Sequence, residues 1–178
     1  MKKVGVFCGA RTGSSATFAE ATSALGRSLA NRGHGIVYGG GRVGLMGILA
    51  DAALAAGGQV TGVIPQALAD AEIAHEGLTH LHVVNSMHER KALMAQLSDA
   101  FIALPGGYGT LDELCEIVTW AQLGIHDKPI GLLNVNRYYD RLIELFDLGM
   151  REGFIPRGNR ALIREARTID HLLERLGL

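Results

Sequence analysis

Hydrophobic positions along the chain fall into short unbroken runs, separated by longer segments of mixed pattern. Residues 3–10 (KVGVFCGA), 35–41 (GIVYGGG), 59–65 (QVTGVIP), 79–85 (THLHVVN), 99–107 (DAFIALPGG) and 128–135 (KPIGLLNV) are apolar stretches that close on or near glycine, proline or asparagine. They do not alternate apolar with polar, so they predict strands buried on both faces. A shorter run at 161–166 predicts a last strand. The intervening segments 14–33, 43–58, 86–98, 110–124, 138–153 and 168–177 carry helical patterns. Serines precede the first of them, and Gly33 and Gly124 follow the first and fourth as C-caps. Ser86 and Glu89 match a capping box, and Thr168 precedes the last helix. Residues 66–78 predict irregular chain or a short helix.

Strand and helix thus alternate from end to end. This predicts an α/β fold, a Rossmann-like open parallel sheet with helices on both faces, built as one domain over residues 1–178. In such sheets ligands bind beyond the carboxyl ends of the strands. Three of those ends are glycine-rich here: 9–13, 39–44 and 106–109.

Composition narrows the class of partner. The chain has 178 residues, 48% hydrophobic and 20% charged, with 17 basic and 18 acidic residues for a net charge of −1. That balance gives no electrostatic reason to expect nucleic acid or a membrane surface. No segment approaches the ~18 apolar residues of a membrane span. The basic, then apolar, start breaks at Gly9 and predicts a first strand rather than a signal peptide. The two cysteines, Cys8 and Cys115, are far apart and form no C-x-x-C pair, so a reduced cytoplasmic setting is expected. Cys115 is expected to be a buried thiol. His80 and His82 lie two apart on one strand with no Cys or carboxylate at ligand spacing, and no metal site is expected.

Two glycine loops carry the candidate chemistry. GGGRVG (39–44) matches G-x-G-x-x-G literally, but the next strand ends in VIPQ with no acid for a ribose hydroxyl, which argues against NAD. It reads as a tight strand-to-helix turn, or as a place where backbone approaches some nucleotide. LPGGYGTLDE (104–113) combines three glycines, a threonine and a helix start, a combination suited to a phosphate. No Lys-Ser/Thr pair follows, so it is not a Walker A loop. On the residues alone, a simple glycine turn with acids in the first helical turn is an equal reading.

PGGYGTLDE resembles the P-G-G-x-G-T-x-x-E motif of the Lonely Guy (LOG) family of cytokinin riboside 5′-monophosphate phosphoribohydrolases, long labelled lysine decarboxylase-like. VFCGA, VYGGGRVGLMG (37–47), VIPQAL (63–68), MHERKALM (87–94) and TWAQLGIHDKPIGLLNV (119–135) read like further family blocks in family order. CGARTGSS departs from the family's usual Ser-Ser-x-G at Ala10 and Arg11. The resemblance implies hydrolysis of the N-glycosidic bond of an adenosine-type nucleoside 5′-monophosphate, without cofactor or metal, by a homodimer whose site lies near the interface. It implies Arg90 and Glu113 as the catalytic pair. It places Gly106, Gly107, Tyr108, Gly109, Thr110, Leu111 and Asp112 in substrate binding, joined by Glu72, Lys91 and Thr119. A carboxylate beside the ribose would stabilise the positive charge that develops there and orient or deprotonate water. One helical turn, about 5 Å, is a reasonable offset between a 5′-phosphate and C1′. Arg90 is expected to pair with Glu113 and keep it ionised. A non-catalytic nucleotide sensor on the same fold would keep the glycine loops and lose this pair. Lys91 as a cofactor-bearing lysine is not expected, because nothing near it reads as a pyridoxal phosphate site.

Overall fold

The computed structural model describes residues 1–70 and 73–178. Seven strands, β1 (Lys3–Phe7), β2 (Gly35–Tyr38), β3 (Val60–Pro65), β4 (His80–Val84), β5 (Ala100–Ala103), β6 (Ile130–Leu133) and β7 (Ile163–Ala166), form one sheet in the order β4-β3-β2-β1-β5-β6-β7. Every neighbouring pair is parallel. The chain builds outward from β1 to β4, then returns to the far side of β1. The β1–β5 junction is therefore the point where strand order reverses, and a crevice opens there. The fold is the α/β architecture expected.

The helices are α1 (Ala16–Asn31), α2 (Gly44–Ala55), α3 (Gln66–Asp70), α4 (Met87–Leu97), α5 (Tyr108–Gln122), α6 (Asp140–Arg151), α7 (Arg157–Arg160) and α8 (Ile169–Leu176). Leucines of α1, α2 and α8 pack with Val4, Val6, Ile36, Val60 and Ile102 on one face of the sheet. Met94, Leu114, Ile117 and Tyr139 pack with Phe7, Val37, Val63, Phe101 and Leu132 on the other. Alternate residues of every strand but β4 thus feed opposite cores, which is why those strands read as unbroken apolar runs. Three alanines of α2 pack inward: Ala50, Ala52 and Ala53 are buried, and Ala52 lies against Gly26 of α1.

β4 departs from expectation. Its residues are exposed save the half-buried Val84, with Leu81 and Val83 at 41% and 47% exposure. It is one of the two edge strands, paired among the described residues only to β3. α5 also begins two residues earlier than its pattern suggests, so Thr110 sits inside the helix rather than capping it. The Ser86 hydroxyl caps α4 by accepting from the Glu89 amide (3.1 Å), while the Glu89 carboxylate accepts from the Asn85 amide (2.8 Å), one residue before the capping-box position.

Gly44 ties two of the glycine-rich ends together. Its φ is +61°, and a Cβ there would overlap the Ala10 carbonyl and the Arg11 amide. The Leu45 amide donates to the Gly9 carbonyl (3.0 Å) across the same contact. Gly44→Ala meets left-handed strain and a backbone collision together. It is expected to destabilise the fold by about 3 kcal/mol or more, read from urea unfolding midpoints. A loss below about 1 kcal/mol would contradict this packing.

Candidate active site

Gly107 is the N-cap of α5 and supplies no side-chain cap. The first backbone bond of the helix runs from the Leu111 amide to the Gly107 carbonyl (3.1 Å). The amides of Tyr108, Gly109 and Thr110 precede that bond and point out of the helix end, where the dipole favours an anion. Thr110 is buried, and its hydroxyl fills the place a Cβ on Gly106 would need. This end of α5 abuts the end of β1 through the bond from the Gly9 amide to the Pro105 carbonyl (3.1 Å).

Glu113 lies further along α5 and is 8% exposed. Arg90 reaches it from the first turn of α4. The Arg90 Nε donates to the Val63 carbonyl at the end of β3 (3.2 Å), and its Nη2 lies 3.5 Å from the Glu113 Oε1. The guanidinium passes over Gly39, where a Cβ would fall on Nη2. Burial pushes the Glu113 carboxyl up to about 7, and the Arg90 charge only partly offsets it. The sequence led to a carboxylate held ionised by its arginine. Desolvation outweighs that single long ion pair.

These groups line one cleft of about 620 Å³ at the β1–β5 crevice. Of the residues singled out from sequence, Arg90, Gly106, Gly107, Tyr108, Gly109, Thr110 and Glu113 line it; Lys91, Leu111, Asp112 and Thr119 do not. Lys91 turns away to Asp112 (2.9 Å) and Glu116 (3.2 Å). Burial alone would lower its ammonium, but the hydrogen bonds it donates to these two carboxylates prevail and raise it. Thr119 is exposed and donates its hydroxyl to the Cys115 carbonyl (2.7 Å). Glu72 lies outside the described residues. Cys115, expected to be buried, is exposed, because α5 turns its neighbours Glu113, Leu114 and Ile117 inward instead.

The structure adds residues that sequence reasoning passed over. Cys8 sits in the cleft floor, its thiol held neutral by burial and by the Glu113 charge. Arg11 lies exposed on the rim, and Phe18, Met46, Leu68, Ile73 and Tyr138 form apolar walls. The VYGGGRVGLMG block pointed toward Gly39 and Met46. Nothing local pointed to Phe18 or Tyr138. Two further clefts, of about 600 and 500 Å³, lie around His126 and around His171, away from this crevice. Among the described residues, no three His, Cys, Asp or Glu side chains converge as a metal set, and no helix is long and apolar enough to cross a membrane.

The chain is similar to several known proteins. The family model described as "Possible lysine decarboxylase" matches residues 46–176. "Probable cytokinin riboside 5′-monophosphate phosphoribohydrolase LOGL1" of Oryza sativa subsp. japonica is 53% identical over 98% of this chain and 78% of its own length. "Cytokinin riboside 5′-monophosphate phosphoribohydrolase LOG1" of Arabidopsis thaliana is 49% identical over 98% of this chain and 82% of its own. Among solved structures, the molybdenum cofactor binding protein of Rippkaea orientalis superposes with a TM-score of 0.74 at 21% identity, covering 99% of this chain and 95% of that one. The molybdenum cofactor carrier protein of Chlamydomonas reinhardtii gives 0.74 at 20% identity, covering 99% and 96%. At such identities the two structures share the fold. The near-full-length identity to the plant proteins reaches further: the chain belongs to the LOG family, to which the label "possible lysine decarboxylase" is also attached.

Proposed function

We propose that this protein hydrolyses the N-glycosidic bond of adenosine-type nucleoside 5′-monophosphates, N6-substituted ones included, releasing the free base and ribose 5-phosphate. The observation that carries the reading is Glu113: a buried carboxyl beside Arg90, on the helix whose N-terminal amides open into the same cleft. The 5′-phosphate is taken by the amides at Tyr108, Gly109 and Thr110, with Arg11 adding charge at the rim. The ribose then extends along α5 to Glu113. As the C1′–N bond breaks, its electron pair leaves with the base and positive charge grows on C1′ and the ring oxygen. An ionised Glu113 opposes that charge and accepts a proton from the water that attacks C1′. Arg90 orients Glu113 and helps it ionise. A proton delivered to the departing base completes the products. Lys91 is occupied by Asp112 and Glu116 and lies off the cleft, which supports hydrolysis over a lysine-centred decarboxylase chemistry.

The same proposal includes a cytoplasmic homodimer. Leu123 and Ile125 just after α5 (66% and 64% exposed), and separately Leu81 and Val83 on β4, are exposed apolar side chains that support pairing.

The test is incubation of the purified protein with AMP and with N6-isopentenyladenosine 5′-monophosphate, following base and ribose 5-phosphate. Turnover of at least one is expected. Absence of turnover with both overturns the reading, and nucleotide binding without turnover would favour a sensor.

A further inference from the structure

The turn after β6 is strained. Asn136 (φ 50°) and Arg137 (φ 60°) are consecutive non-glycine residues in the left-handed region, where a Cβ crowds the following carbonyl. A hydrogen-bond network holds them there. The Asn134 Oδ1 accepts from the Tyr139 amide (2.8 Å), its Nδ2 donates to Asp140 (2.7 Å), and the Arg137 Nε donates to the same carboxylate (2.6 Å). The hydrogen bonds from Arg137 and then Asn134 also hold the Asp140 carboxyl below its ordinary value.

This turn delivers two tyrosines onto the loop ahead of α5. The Tyr139 hydroxyl, buried, donates to the Leu104 carbonyl (2.6 Å). The Tyr138 hydroxyl donates to the Gly106 carbonyl (2.6 Å). The two carbonyls flank Pro105, and that of Gly106 immediately precedes the N-cap. Tyr138 also lines the cleft and meets Phe18 edge-on, ring centroids 5.9 Å apart at 79°. A glycine-rich loop has wide conformational freedom, which must be given up for its amides to hold an anion. In a trans peptide the carbonyl and the next N–H point in opposite directions. A hydroxyl that pins the Gly106 carbonyl therefore also sets the direction of the Gly107 N–H and the angle at which the chain enters α5.

We propose that Tyr138 is a positioning residue for the phosphate end of the cleft, acting through the Gly106–Gly107 peptide, and that the strained Asn136–Arg137 turn exists to aim it. The proposal rests on the reading of the cleft as a nucleoside monophosphate site. Tyr138→Phe keeps the ring and its contact with Phe18 and removes only the hydroxyl. The dissociation constant for inorganic phosphate, by titration calorimetry, and KM for AMP are expected to rise about tenfold. kcat at saturation should stay within about twofold and the melting temperature within a few degrees. Unchanged phosphate affinity overturns the proposal, as does a fall in kcat and melting temperature with KM unmoved. A wild-type protein that binds phosphate but releases no base would sink the hydrolase reading alone, and the phosphate titration would still decide the role of Tyr138.

Discussion

Glu113→Gln is expected to lower kcat by about 10³-fold while making the protein more stable at pH 8. The activity loss follows from removing both the charge facing C1′ and the proton acceptor for water, each worth orders of magnitude in rate. The stability gain follows from linkage. Folding raises the Glu113 carboxyl from 4.5 to about 7. Between those values the unfolded chain has released its proton and the folded chain has not, so stability falls as pH rises through that window. At about 1.4 kcal/mol per pKa unit, the full loss is about 3 kcal/mol above pH 7. Glutamine imitates the protonated form and escapes it. The variant should match the wild type near pH 4 and exceed it by up to about 3 kcal/mol at pH 8, in urea melts at both values. The same group predicts an acid limb near pH 7 in kcat/KM of the wild type. A variant destabilised at pH 8, or one with full activity, is incompatible with a buried, reacting carboxyl.

Gly39→Ala is expected to cost about 10²-fold in kcat/KM with little change in stability. The new methyl would occupy the position of the Arg90 Nη2. The intruded-upon atom is the far end of a long flexible side chain, so the guanidinium swings away instead of the backbone shifting. Arg90 then loses the Val63 carbonyl and Glu113 together. Without that neighbouring charge the Glu113 carboxyl rises further, so the acid limb of kcat/KM should move to higher pH. The measurement is a pair of pH–rate profiles beside a pair of melts. Wild-type kcat/KM, or a collapse of the cooperative transition, would show that Gly39 does something other than make room for Arg90.

Much of the fold was legible because its signals are local. Each strand is a short apolar run, and each glycine-rich end marks where it stops. β4 was misread as buried on both faces, since nothing in THLHVVN says that no strand lies beyond it; sheet order is a property of the whole chain. The same limit governed the site. The PGGYGTLDE loop announced itself through glycine spacing and family likeness. Tyr138 reaches the cleft because β6 lies two strands from β1, where it meets Phe18 from the start of α1, and no sequence pattern records that. Glu113 was identified, but its protonation was not. A glutamate early in a helix reads as solvated, and only packing against the sheet makes burial stronger than Arg90.

The uncapped start of α5 has a consequence for how this protein holds itself together. Serine or aspartate at position 107 would close the helix with its own side chain and strengthen the fold by roughly a few tenths of a kcal/mol. Glycine stands there instead and leaves the helix without a side-chain cap, to be finished, under the proposed function, by the anion that enters the cleft. Recognition and folding then draw on one set of amides. Under the proposed function, a bound phosphate group would complete the secondary structure, and each departure of product would return the protein to its less stable form.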